Sequence, residues 1–169
     1  MRRLWAVACA FGLVGAVPAS AWADGSGVVT RNGRVGPLRL GHSHESAIRD
    51  FAGAPNGKRR TRGVGGERIT VLRYRCGDGC NTYFYLDRRG RFANFITHNP
   101  DYRTADGTRV GDDRKTAVTN ENKDPDPFGC SRNEVIARRG TAWLFVTLDE
   151  DGKQVWALAA AGGNAILGC

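Results

Sequence analysis

The sequence predicts an α+β fold made of two related units, each a short helix packed on an antiparallel β-sheet. The first observation behind this prediction is an internal repeat, because residues 38–48 recur 70 positions later as residues 108–118. The second is that each copy precedes stretches rich in β-branched and aromatic residues, separated by turn residues. The pattern places the first unit at residues 37–104 and the second at residues 105–169.

The two copies of the repeat keep the features of a turn followed by a helix. Gly41 matches Gly111. Ser43 and Asp113, two positions after each glycine, belong to the residue types that cap helix N-termini. An alanine and a β-branched residue then follow in both copies, as expected for the first apolar turn of an amphipathic helix.

Each unit also contains its own predicted strands. In the first unit a helix over 44–52 ends at the Gly-Ala-Pro-Asn-Gly of 53–57, and the predicted strands are 69–74, 82–86 and 92–97. In the second unit a helix begins near Arg114, and the predicted strands are 134–137, 141–148 and 154–158. Matching turns at 87–90 and 149–152 predict a hairpin in each unit.

The first 23 residues have the three parts of a signal peptide. Residues 1–3 are basic, residues 4–17 are apolar, and Ala21 and Ala23 are small residues that suit a signal peptidase. The apolar run is shorter than the roughly 20 residues of a membrane-spanning helix. We therefore expect cleavage after Ala23 and a secreted or otherwise extracytoplasmic, soluble protein. Residues 24–36, with several glycines, are expected to form a loose leader.

Positive charge is concentrated in the first half of the expected mature chain. Residues 24–98 carry 14 basic and 6 acidic side chains, whereas residues 99–169 carry 9 basic and 11 acidic ones. This layout favours an anionic partner through long-range steering. The alternative is a solvated surface that keeps the protein soluble.

Four cysteines remain after the expected cleavage, an even number for an oxidising compartment. Three pairings are possible. The glycines between Cys76 and Cys80 allow the chain to turn back, which favours that pair and leaves Cys130 for Cys169. A zinc site is the rival interpretation, but the sequence lacks a second closely spaced pair of ligands.

The repeated pattern resembles the small exported units of the BamE/SmpA-like family. The shared features are a short strand, an arginine, an apolar residue, a glycine, a capped Ala-Ile helix, the Gly-Ala-Pro of 53–55 and an antiparallel sheet. In tandem the pattern is similar to the architecture of the β-lactamase inhibitor proteins, over about residues 37–159. The resemblance implies a non-enzymatic binding protein that uses the open face of its sheet. BamE proteins are lipid-anchored, and this chain lacks the cysteine that would take the lipid.

Period-two alternation assigns strand residues to the two faces of the sheet. The side that faces the helices would carry Leu72, Phe84, Leu86, Leu144, Val146 and Leu148. The opposite side would carry six arginine and aromatic residues, which are the candidate binding residues: Arg73, Arg75, Tyr83, Tyr85, Trp143 and Phe145. This composition is typical of interface hot spots. Alternatively these aromatics lie beneath a loop or between the units, and a register shift of one residue would reverse the assignment.

Patterns for metal binding and catalysis are weaker. His42 and His44 flank Ser43, but no third ligand follows from the spacing, and the predicted cap explains the serine. His98 and Asp101 are candidates for an acid–base pair, although the residues between them indicate a turn. No serine lies in a Gly-x-Ser-x-Gly motif, and disulfides would occupy the thiols. We therefore predict no metal, no cofactor and no catalytic residue.

These observations predict a secreted, non-enzymatic protein-binding module, inhibitor-like in character, whose target the sequence does not identify. The expected partner is another extracellular or envelope protein. One alternative is an electrostatic binder of anionic cell-envelope polymer or lipid headgroups, through the basic run at 58–62. A second alternative is an uncharacterised hydrolase. Export argues against nucleic acid as a partner.

Overall fold

A seven-stranded antiparallel β-sheet forms the largest part of the fold. The computed structural model describes residues 27–63, 66–122, 134–139 and 142–162, and of 134–139 it describes the backbone. The predicted signal peptide, Cys130 and Cys169 lie outside the described residues. The elements in chain order are β1 (Val28–Thr30), β2 (Arg34–Val35), β3 (Leu38–Arg39), α1 (Glu45–Ala52), β4 (Gly57–Arg62), β5 (Arg68–Arg75), β6 (Asn81–Leu86), β7 (Phe92–Thr97), β8 (Arg103–Thr104), α2 (Arg114–Glu121), β9 (Glu134–Arg139), β10 (Ala142–Leu148) and β11 (Val155–Gly162).

The large sheet joins strands from both halves of the chain. Its order is β4–β5–β6–β7–β11–β10–β9, and neighbouring strands are antiparallel throughout. A smaller sheet has the order β3–β2–β1–β8, in which β1 and β8 run parallel. Because β7 pairs with β11, the strands of the first half continue without a break into those of the second.

One buried cluster of apolar side chains lies on one face of the large sheet. Phe84, Phe92 and Phe95 are fully buried at its centre. Ile48 of α1 and Ala117 of α2 belong to the same cluster, together with valines and leucines of the smaller sheet. The protein therefore combines helices and mainly antiparallel strands in an α+β arrangement, and the other face of the large sheet points away from this core.

The helices begin and end close to their predicted positions. The first covers Glu45–Ala52, and Gly53, at a φ of 80°, ends it. The side chain of Asp113 caps α2 by accepting a hydrogen bond from the Thr116 N–H, as predicted. The predicted cap at Ser43 is wrong, because its hydroxyl accepts from the Arg39 N–H and His44 occupies the N-cap position. No helix among the described residues is both long and apolar enough to cross a bilayer.

The two turn-and-helix segments attach to the large sheet through similar pairs of hydrogen bonds, which differ by one position in the second acceptor. The Gly41 N–H donates to the Phe92 carbonyl, and the Phe92 N–H donates to the Ser43 carbonyl. In the second segment the Gly111 N–H donates to the Val155 carbonyl, and the Val155 N–H donates to the Asp112 carbonyl. Both glycines have positive φ angles, 76° and 94°.

The hairpin turns before these attachment points also correspond. Asp87 Oδ1 accepts from the N–H groups of Arg89 and Arg91. Asp149 Oδ1 accepts from the N–H groups of Lys153 and Gln154. An aspartate therefore organises each turn through its own side chain.

The structure contains strands that the sequence pattern did not predict. Within the expected loose leader at 24–36, residues 28–30 and 34–35 form strands, because Val29 and Val35 are fully buried and belong to the core. The basic run at 58–62 forms most of β4, an edge strand of the large sheet. Positive charge suits an edge strand, since it discourages pairing with another chain.

A disulfide joins Cys76 to Cys80 at the end of β5, as predicted. The two Cα atoms are 5.1 Å apart. Gly77 and Gly79 both have positive φ angles, which lets the chain reverse within the loop, and the Cys76 N–H donates to the Cys80 carbonyl. The bond fixes the loop between β5 and β6.

Candidate functional site

The predicted division of strand residues between the two faces agrees with their burial. Leu72, Phe84 and Leu86 are at most 1% exposed, whereas Arg73 and Arg75 are exposed. Tyr83 and Tyr85 are half-buried. In β10 the same alternation holds, because the leucines and valine at 144, 146 and 148 are buried and the aromatic residues at 143 and 145 are half-buried.

The strand register gathers five of the six candidate residues into two neighbouring rows. The first row runs across the sheet through Arg73, Tyr83, Ile96, Ala159 and Phe145. The second runs through Val71, Tyr85, Asn94, Ala161 and Trp143. We call this surface the outer face. It also includes Arg59, which continues the second row at the β4 edge, and four residues beyond the first row: Arg75, His98, Ala157 and Trp156.

Small residues separate the two aromatic groups of the outer face. Ala157, Ala159 and Ala161 of β11 are at most 4% exposed. The tyrosines lie on β6, three strand spacings from β10, which is a separation of about 14 Å. Trp143 and Phe145 stack along β10 with ring centroids 6.2 Å apart and an interplanar angle of 20°. The alanine methyl groups between the two aromatic groups are therefore covered by their neighbours.

The arginine side chains lie at the β4–β5 end of the outer face. Arg59 is paired with Val71 in the register, and Arg73 with Gly57. Burial raises the pKa of the Tyr85 phenol, and the nearby Arg59 charge partly offsets this. The tyrosine is therefore a neutral hydrogen-bonding group at physiological pH, next to a fixed positive charge.

Trp156 is a residue of the outer face that the sequence pattern did not predict. It is the large hydrophobic side chain most exposed among the described residues, at 57%. Strict alternation from the buried Leu158 would direct it into the core. A register shift between Thr147 and Leu148, opposite Trp156, makes a bulge that turns the indole outward. The bulge has no clear signature in the sequence, so the alternation alone could not find this residue.

His98 lies between Trp156 and Tyr83. Its ring centroid is 4.4 Å from that of Trp156 and 6.3 Å from that of Tyr83. Its Nδ1 lies 3.3 Å from the Asn81 carbonyl oxygen, which can only accept, so Nδ1 carries the proton. Its Nε2 is buried and has no hydrogen-bond partner among the described residues.

An open concavity of about 460 Å³ surrounds His98 and Trp156. Its wall includes Asp78 and Asp149, whereas Asp101 lines a different concavity. The pair of His98 with Asp101 considered from the sequence is therefore not assembled. Asp78 pairs with Arg75, and Asp149 is bonded to backbone N–H groups. Cys80, the cysteine in this wall, is held in the disulfide and offers no thiol.

We expect His98 to make the stability of the protein depend on pH between 7 and 5. Burial lowers the pKa of His98 below its usual 6.5. The unfolded chain therefore binds this proton more readily, and stability falls as the pH drops below about 6.5. His98→Gln should reduce the loss of melting temperature over this range, measured by circular dichroism. His42→Gln, at an exposed turn, is the control, and an equal effect of both substitutions would contradict the prediction.

The histidines near α1 do not form a metal site with other described residues. Nδ1 of His42 lies 3.0 Å from the Leu40 carbonyl oxygen, and His44 is the helix N-cap. Among the described residues, no three histidine, cysteine, aspartate or glutamate side chains gather in a way that could hold a metal ion.

Comparisons with known proteins show similarity in fold. No protein-family model matches the chain, and no curated protein does. Among solved structures, the chain is similar to a cysteine-rich secretory protein from Staphylococcus aureus, with a TM-score of 0.53 and 11% identity, covering 80% of this chain and 50% of that one. It is also similar to an extracellular protein containing a SCP domain from Bacillus anthracis, with a TM-score of 0.51 and 8% identity, covering 73% and 44%.

A third solved structure, a DUF4309 family protein from Bacillus subtilis, has a TM-score of 0.49 and 12% identity over 76% of this chain and 84% of its own. The chain spans about half the length of the staphylococcal and anthrax proteins. These similarities concern the fold alone.

Proposed function

We propose that this protein is an extracytoplasmic, non-enzymatic binding module that holds another protein on its outer face. One observation supports this most directly. The register places Arg73, Tyr83 and Phe145 in one row, and Tyr85 and Trp143 in the next, all on the side of the sheet opposite the core. Arg75 lies two residues further along β5, opposite Asn81.

The composition of the outer face suits protein recognition. Tyrosine, tryptophan and arginine carry most of the binding energy in interfaces, because they offer large rigid surfaces and directed hydrogen bonds. On this sheet the aromatic groups are held by the strands, and Trp143 and Phe145 support each other by stacking. Little side-chain entropy would be lost on binding.

Charge indicates the kind of partner. Arg59 and Arg73 stand at one end of the outer face, and neither forms an ion pair within the described part of the chain. A protein whose contact surface is apolar at its centre and acidic at one edge would be complementary. We propose such a partner, outside the cytoplasm.

We also propose that the protein is exported and that it arose by internal duplication. The signal-like N-terminus and the disulfide at Cys76–Cys80 support export. The solved structures of similar fold are described as extracellular or secretory proteins. The matching bonds of Gly41 and Gly111 to the sheet support an origin by duplication, as in tandem BamE-like units. The open sheet face of the β-lactamase inhibitor proteins is the analogy behind an inhibitor-like role.

Substituting Tyr85 and Trp143 together by alanine tests the proposal. The mature protein is used to capture partners from the native secretome, and each captured protein is purified and titrated by calorimetry. We expect the double variant to bind at least 100-fold more weakly, as for loss of hot-spot residues. Arg114→Ala with Lys115→Ala, on the exposed surface of α2, should leave affinity unchanged.

Two outcomes would contradict the proposal. One is equal binding by both double variants. The other is unfolding of the Tyr85/Trp143 variant, because each of these cross-strand side chains is expected to contribute only about 1 kcal/mol to stability. Retention on purified cell-envelope polymer, lost in moderate salt and unaffected by the aromatic substitutions, would favour the alternative of an electrostatic binder through the basic strand β4.

A further inference from the structure

A small concavity lies at the β4–β5 edge of the outer face. Its volume is about 290 Å³, and six residues line it: Gly57, Lys58, Arg59, Val71, Arg73 and Tyr83. Small-molecule sites usually begin at about 300 Å³. The concavity is therefore suited to a single side chain of a partner protein.

The backbone register fixes the positions of the two arginines around this concavity. Arg59 is paired with Val71, and Arg73 is paired with Gly57 on the neighbouring strand, so the arginines are diagonal neighbours. Such neighbours are about 7–8 Å apart at their Cα atoms. A Cβ atom on Gly57 would lie 3.5 Å from Nε of Arg73. The absence of a side chain at position 57 thus lets the Arg73 guanidinium lie across the end of the concavity.

The charges at this concavity are not neutralised by the described residues. Lys58 Nζ is 2.8 Å from Glu45 Oε2, so this lysine already has an anionic partner. Arg59 and Arg73 form no ion pair within the described ranges. Two guanidinium groups without an anionic partner among the described residues therefore line this concavity, and each offers a planar fork of donors.

The floor of the concavity is apolar. Val71 is 1% exposed although it lies on the outer face, and Tyr83 forms an adjacent wall. An apolar floor lowers the local dielectric, which strengthens charge-assisted hydrogen bonds to the arginines. It also matches the methylene groups of a glutamate or aspartate side chain better than a fully polar anion.

We propose that Arg59 and Arg73 hold the carboxylate of an acidic side chain of the partner protein in this concavity. The identity of the carrier as a protein rests on the proposed function, but the recognition of the carboxylate does not. The carboxylate would accept hydrogen bonds from both guanidinium groups, and its stem would contact Val71. This contact would set the orientation of the partner on the outer face.

A titration without any partner protein tests this site. The probe is N-acetyl-glutamate methylamide, whose only charge is the side-chain carboxylate, and the readout is the NMR signals of the arginine Nε–H groups in the mature protein. We expect the Arg59 and Arg73 signals to follow one saturating curve. Arg59→Gln should weaken the response of Arg73 at least tenfold. Arg60→Gln, on the other side of β4 opposite Thr70, should leave it unchanged.

Three results would contradict the proposal that Arg59 and Arg73 bind a carboxylate. Equal, unsaturated responses of Arg60 and Arg62 would indicate general screening. An equal response to N-acetyl-glutamine methylamide would show that charge is not recognised. Saturation by inorganic phosphate at tenfold lower concentration would assign the site to phosphate esters. Since Tyr85 and Trp143 are not needed for this titration, failure here leaves the partner-binding test on the outer face to be judged separately.

Discussion

Replacing Phe84 by alanine is expected to lower the free energy of unfolding by about 3–5 kcal/mol. Phe84 is fully buried, and its ring contacts three others. The centroids are 5.4 Å away for Tyr74, 5.6 Å for Phe92 and 5.2 Å for Phe95. Truncation removes all three aromatic contacts and leaves a cavity that β-strands on both sides cannot close. Urea denaturation followed by circular dichroism measures the loss.

Trp156→Ala is the matched control for this substitution. It also removes an aromatic ring from the large sheet, but from a side chain that is 57% exposed. Its cost should stay near 1 kcal/mol, since little area leaves the core. If the two substitutions cost the same, Phe84 would not be the centre of the packing.

Replacing Glu121 by alanine is expected to cost about 3 kcal/mol of stability. Glu121 is 3% exposed at the end of α2. Its Oε1 accepts from the hydroxyls of Thr104 and Thr108, at 2.6 and 2.8 Å, and its Oε2 lies 3.3 Å from Arg31. Without the carboxylate, two buried hydroxyls lose their acceptor, and each such loss costs about 1–3 kcal/mol. Thermal unfolding of the purified variant measures the effect.

Glu45→Ala provides the comparison for Glu121. Glu45 also binds two cations, Arg49 and Lys58, but its side chain is 26% exposed. Water replaces such contacts readily, so a loss below about 1 kcal/mol is expected. A larger loss from Glu45 than from Glu121 would contradict the importance of the buried hydrogen bonds around α2.

The sequence predicted elements best where a single local pattern defines them. The strand Phe92–Thr97 has the bounds expected from its aromatic and β-branched run. Asp113 caps α2 because its short carboxylate reaches the Thr116 N–H. Ser43 failed as a cap because its hydroxyl bonds back to Arg39, a competing contact that the sequence does not distinguish from a cap.

The remaining elements depend on tertiary contacts. The strands at 28–30 and 34–35 are only three and two residues long. They are stabilised by burial of their valines in the core, which a local sequence pattern does not reveal. The basic strand β4 has no alternation of apolar residues, since it lies at the edge and pairs on one side alone. Neither type of strand has the periodicity on which sequence reasoning relies.

In the candidate site, too, some features follow from the local sequence pattern and others depend on tertiary contacts. Alternation placed Arg73, Tyr85 and Trp143 on one face, because the period of a strand is fixed by its backbone. That these residues share two rows follows from strand order, and the placement of β11 between β7 and β10 could not be derived from the sequence. Trp156 depends on a bulge, which shifts the period locally.

The position of β11 has a consequence for the order of folding. Among the described strands it is the last to be synthesised, yet it occupies an interior place and bridges the strands on either side. Until it is made, β7 and β10 have no common neighbour, and the tyrosines of β6 are not joined through the sheet to Trp143 and Phe145 of β10. For the exported chain that we propose, late closure of the sheet would delay folding, and threading through a translocation pore requires an unfolded chain.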